Sequence, residues 1–160
     1  PVVGGPSGMA LGGGCEILLH CDAIQAHAEL YMGLVEVGVG LVPGWGGCKE
    51  LLARTAATPK RPNGIMGGPM PPIAQAFETI SLAKVSRSAA AARDLAFLRP
   101  QDRITMNRER LLADAKARVL ELTKDYRPPE PPSFVLPGPT AKMAPNSWLK
   151  GSMMRSCSMR

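Results

Sequence analysis

Two carboxylates, Glu16 and Glu36, stand twenty positions apart inside a largely apolar stretch. Just before the first runs a glycine triplet, Gly12-Gly13-Gly14, leading directly into Cys15-Glu16-Ile17-Leu18-Leu19. Three glycines ahead of an apolar run describe a backbone that turns tightly and leaves its N–H groups uncovered. A helix starting there aims unpaired donors and a positive dipole end outward, an arrangement suited to an oxyanion or a phosphate. Glu16 falls in the first helical turn, where the dipole favours a carboxylate. Glu36 lies between Val35 and Val37, and apolar surroundings favour its protonated form and the role of proton donor. Fixed donors beside two half-buried acids make a site for general acid–base chemistry. Taken singly, Glu16 would read as a helix-end acid and Glu36 as surface charge.

The wider stretch is more specific. Ala10-Leu11-Gly12-Gly13-Gly14-Cys15-Glu16, then Cys21-Asp22, Glu36 and Pro43-Gly44-Trp45-Gly46-Gly47 resemble the enoyl-CoA hydratase/isomerase (crotonase) superfamily in order, spacing and residue type. A weaker resemblance continues through Phe77–Ile80, Ala83–Ser86 and Met106–Ala115. The subgroup it is similar to is a long fusion that also carries a 3-hydroxyacyl-CoA dehydrogenase. The resemblance implies an α/β fold, the C-terminal part of a crotonase-type ββα spiral, followed by a helical segment and an irregular tail. It implies addition of water across the 2,3 double bond of an enoyl-CoA in fatty-acid β-oxidation. Glu16 and Glu36 match the two catalytic glutamates, and the Gly13 N–H matches one oxyanion donor. The other donor comes, in complete members, from a loop ahead of the position matching Pro1. Leu11, Gly12, Pro43 and Trp45 are the implied substrate-binding residues, although Trp45 fits a core position better. The coenzyme A thioester is substrate, no cofactor belongs to this chain, and NAD belongs only to the fused dehydrogenase. Expected partners are the acyl-CoA together with either a homo-oligomer or the fused domains. A non-catalytic truncated fragment or assembly module of the same fold is the competing reading.

Other constellations are weaker. Gly38-Val39-Gly40 lacks the third glycine of a dinucleotide fingerprint, and no P-loop lysine follows a glycine cluster. Ser7 before Gly8 invites a serine nucleophile, but His20 would sit in mid-helix beyond its reach. His20, Cys21 and His27 match no zinc spacing. Lys49 and Arg54 read as surface charges.

The 160 residues suffice for a core, with 45% of them hydrophobic. The 17 Gly and 16 Pro require much loop. Four cysteines without C-x-x-C pairing read as reduced thiols in a cytoplasmic protein. No apolar run is long enough to span a bilayer, and nothing resembles a signal peptide. The net charge of +6 lies toward the C-terminal half; a solvated surface and basic tail account for it without nucleic acid.

Positioning these residues requires a strand over 1–5, a lead-in over 7–11, a helix over 13–20, and strands over 22–26 and 30–32. A loop follows, then a helix over 46–56, loop over 58–72, and helices over 73–82, 89–95 and 107–124. Ser88 should cap the helix after it. Leu111, Leu112, Ala115, Val119 and Leu122 form the apolar stripe of the last helix, leaving Lys116, Arg118 and Glu121 to water. Residues 1–125 form a partial crotonase-like domain and 126–160 a Pro-rich arm with a disordered tail. A start inside a strand reads as a fragment with unpaired edges, expected to associate and to lack hydratase activity alone.

Overall fold

The computed structural model describes residues 1–57, 70–130 and 138–139. Its elements are β1 (Val3–Gly4), β2 (Gly8–Leu11), α1 (Gly13–Leu19), β3 (Ala23–His27) and β4 (Leu30–Gly33). After these come α2 (Gly47–Ala57), α3 (Met70–Ser81), α4 (Ala89–Asp94), β5 (Arg103–Thr105) and α5 (Leu111–Leu122). Short 3-10 turns occupy Glu36–Val39, Arg108–Arg110 and Thr123–Asp125.

The strands form two parallel sheets, one ordered β1-β3-β5 and one pairing β2 with β4. Val3 registers with Ala23, and Gly8 with Leu30. The chain therefore lays one strand in each sheet per turn and repeats the step about twenty residues later. This is the coil of strands and helices expected of the family. All five residues of β3 are buried, as suits a strand paired on both sides with α5 packed against it. The core gathers Cys15, Leu19, Ile24, Ala26, Leu30, Met32, Leu34, Leu51 and Phe97 from both sheets and their helices.

Several expectations need correction. Residues 8–11 are a strand, β2, which Gly8 and Met9 disguised in the sequence. Only Val3–Gly4 of the first segment is strand, and Val2 is exposed. β5 follows a short loop and has three residues, too few to show a periodicity. Pro71 and Pro72, read as loop, lie in the first turn of α3. There a missing N–H costs nothing and the fixed φ suits the helix. On α5, Leu111 and Ala115 face inward, but Leu112 is 81% exposed. The Arg118 side chain is largely covered and pairs with Glu121. The loop assigned to 58–69, most of the arm and the tail with Cys157 lie outside the described residues. Among the described residues no helix is long and apolar enough to cross a membrane.

Candidate active site

Gly12 sets up the first half of the site. It holds φ +55 directly before α1, a conformation that few side chains adopt. Its N–H donates to Gly33 O at 2.9 Å, and its carbonyl accepts from Glu16 N at 3.0 Å. β2 thus turns into α1 beside the end of β4. No side chain caps α1, so the first N–H groups of the helix have no intrahelical partner. Gly13 and Gly14 are exposed, and a β-carbon on either would meet nothing within 4 Å.

Glu16 stands one turn into α1 and is only 3% exposed. Its Oε1 accepts from the backbone N–H groups of Trp45 and Gly47, both at 2.8 Å. Charge-assisted bonds of this kind fix both position and orientation of a carboxylate. The fit is close: a β-carbon on Gly47 would lie 2.9 Å from Glu16 Oε1 and 2.8 Å from Leu34 Cδ2. Gly46 holds φ +90, and the His20 ring packs where its side chain would be. His20 Nδ1 in turn lies 2.8 Å from the Glu16 carbonyl.

Glu36 opens the 3-10 turn after β4 and is half-buried. Its Oε1 would lie 3.3 Å from a β-carbon on Gly12, so the carboxylate covers the turn that starts α1. Its Oε2 is buried without a hydrogen-bond partner among the described residues. Both carboxylates lie near the same two thiols. Burial, then Glu36, pushes Cys15 up to about 12, with Arg54 opposing and Glu16 adding to the rise. Burial, then Glu16 and Glu36, also raises Cys48. Glu16, Glu36, Gly12 and Gly13 therefore occupy one neighbourhood.

The remaining sequence candidates divide. Leu11 is half-buried at the end of β2, and Pro43 is buried. Trp45 is not core: it is 71% exposed. The loop turns its N–H inward to Glu16, which sends the indole outward. Arg54 is no surface charge. It is 5% exposed, with Nη2 donating to Leu19 O at 2.7 Å and Nη1 to Phe97 O at 2.9 Å. Asp102 lies 3.8 Å from it. Burial and the nearby Arg99 lower Arg54 to about 10, while Asp102 works against that shift. Arg54 shares the inner face of α2 with Gly47, Leu51 and Thr55. That i, i+4, i+7, i+8 spacing was the available signal for its burial. Lys49 pairs with Glu50 at the surface.

Among the described residues no group of three or more His, Cys, Asp or Glu could hold a metal ion. Cys21 lies against Ile17 O, and the His27 ring nitrogen accepts from Glu29 N. Cys15, Cys21 and Cys48 are free.

No family model matches the chain. A Bacillus subtilis protein named "probable 3-hydroxyacyl-CoA dehydrogenase" is 45% identical over 147 residues, 90% of this chain and 18% of its own length. A short-chain-enoyl-CoA hydratase of Clostridium acetobutylicum is 47% identical over 51 residues, 32% of this chain and 20% of that protein. Among solved structures, an enoyl-CoA hydratase of Mycobacterium tuberculosis superposes with TM-score 0.59 at 26% identity. It covers 78% of this chain and 41% of its own. A Geobacillus kaustophilus hydratase subunit gives 0.57 at 27% identity, over 78% of this chain and 40% of its own. The chain thus spans well under half of each of these proteins. The strand-per-turn coil and the glycine turn into α1 agree with these likenesses: the chain carries part of the crotonase fold of the enoyl-CoA hydratases and is similar to them in sequence.

Proposed function

We propose that this chain supplies the acid–base half of an enoyl-CoA hydratase active site, in a polypeptide that also carries an NAD-dependent 3-hydroxyacyl-CoA dehydrogenase. The observation that carries the reading is the paired environment of the glutamates. Glu16 is pinned by two backbone donors at 2.8 Å, and Glu36 Oε2 is buried and unpartnered beside the same turn. A water held between two such carboxylates can lose a proton to one as its oxygen bonds to Cβ of the enoyl thioester. The other must start in its carboxylic-acid form, and it gives that proton to Cα. Negative charge gathers meanwhile on the thioester oxygen, and the Gly13 N–H is its donor from this chain. Leu11, Gly12, Pro43 and Trp45 are assigned to substrate contact, with Trp45 presenting its exposed ring rather than a buried one.

The addition is redox-neutral, so the acyl-CoA is the only small molecule the step consumes besides water. NAD serves the dehydrogenase, for which the Bacillus relative's name is the support. The free Cys15, Cys21 and Cys48 support a cytoplasmic setting, and homo-oligomerisation or contact with the dehydrogenase domains completes the assembly. The test is hydration of crotonyl-CoA by the polypeptide containing this chain. Glu16→Gln and Glu36→Gln should each lower kcat by roughly 10²–10⁴-fold while acyl-CoA still binds. Near-normal turnover in either variant removes that glutamate from the reaction. Binding without turnover in the parent protein favours a non-catalytic module.

A further inference from the structure

We infer that Arg54 is a positioning residue for Glu16, an assignment whose mechanistic meaning rests on the hydratase reading. The starting point is the length of α1. Seven residues make two turns, too short to hold together without outside partners. At its N-terminal side, Glu16 is attached to the first residue of α2 through the Gly47 N–H. At its C-terminal side, Arg54 Nη2 takes up the carbonyl of Leu19, one of the orphan acceptors of the helix end. Both Gly47 and Arg54 belong to α2, seven residues apart on its inner face. The two helices are therefore joined at two points. One joint alone would act as a hinge; two fix the rotation of α1 and with it the direction of the Glu16 carboxylate.

The second joint is itself anchored. Arg54 Nη1 donates to Phe97 O. Arg99 Nη2 donates to the carbonyls of Cys21 and Asp22, the residues leaving α1. Asp102, fully buried, accepts from Ile24 N and Arg99 N and faces Arg54 at 3.8 Å. Two guanidinium groups thus sit at the negative end of the α1 dipole with one carboxylate between them. A lysine at position 54 would keep the charge but lose the planar fork that reaches Leu19 and Phe97 together.

The amide resonances of Trp45 and Gly47 report the Glu16 bond directly and are read in the intact chain. In Arg54→Lys they should move at least halfway toward their positions in Glu16→Gln. Arg103→Gln, which breaks only a surface pair with Glu121, should leave them in place. In the hydratase assay Arg54→Lys should lower kcat roughly 10–100-fold with KM within about twofold. Amides that stay at their parental positions while the melting temperature drops would reduce Arg54 to a stabilising residue. A parent protein without hydratase activity counts against the proposed reaction, whereas the amide shifts decide the role of Arg54 in either case. Should every Arg54 variant unfold, hydrogen exchange in the parent chain remains decisive. Gly47, whose N–H makes the first joint, and Cys21, whose N–H bonds Leu18 O beside the second, should exchange at rates within roughly threefold of one another, through one shared opening. Gly47 exchanging more than about 100-fold faster would overturn the coupling.

Discussion

Cys15 holds its proton far more tightly in the fold than in the open chain. Burial is the leading cause, Glu36 and Glu16 add repulsion, and Arg54 opposes them on the way from 9.0 to about 12. The raised value has a definite sign for stability. Below pH 9 both states keep the proton and the contribution is complete. Between about 9 and 12 the unfolded chain loses its proton while the folded one cannot, so stability falls as pH rises. One such group lowers stability by about 1.4 kcal/mol per pH unit across that window. Urea midpoints measured from pH 8 to 11 should fall less steeply in Cys15→Ala than in the parent chain. Equal slopes would show that Cys15 does not carry the alkaline loss.

At the scale of elements, local signals were most legible where one side chain decides the outcome. Ser88 announces α4, and its Oγ accepts from Ala91 N at 3.0 Å. Ser88→Ala should cost about 1 kcal/mol in denaturant unfolding without altering far-UV dichroism, as loss of an N-cap does. An unchanged midpoint would mean that α4 is held by packing alone. The glutamates, the glycine turn and the apolar face of α2 were equally legible, because each is a motif of residue type at fixed spacing. Partners distant in sequence were not. Asp102 meets Ile24 across 78 positions, and no pattern within either segment announces the other. Arg54 was misread because charge outweighed its place on a buried stripe, and Trp45 because its size outweighed a loop that needed its N–H. β5 was missed since three residues carry no period, and β2 since Gly8 and the 80%-exposed Met9 look unlike strand.

Across the whole molecule, both sheets keep open sides. Among the described residues β1 pairs with β3 alone, and β2 with β4 alone. The open edge of β2, with Met9 exposed, is a template for another strand. Met9 lies on β2 opposite Tyr31 of β4, with its side chain directed to solvent. Met9→Lys should therefore shift sedimentation of the purified chain toward monomer at high concentration, leaving its melting temperature within about 1 °C. Unchanged association would place the contact elsewhere, with the exposed Val39, Leu41 and Val42 next to be tested.

The anchoring of Arg54 by Asp102 has a consequence for the order of synthesis. A ribosome adds Arg54 forty-eight residues before Asp102 (102 − 54), and Phe97 O and Arg99 also arrive late. At about 5–20 residues per second the interval is roughly 2–10 s. During that time the nascent chain holds both glutamates, α1 and all of α2, yet lacks Phe97 O and the Asp102 carboxylate, two of the groups that face the buried guanidinium. Burying the guanidinium costs more before Asp102 is in place, so full seating of α2 is favoured only after that carboxylate has emerged. Release of residue 102 from the exit tunnel is the moment from which closing of the first two turns of the coil on α2 is favoured.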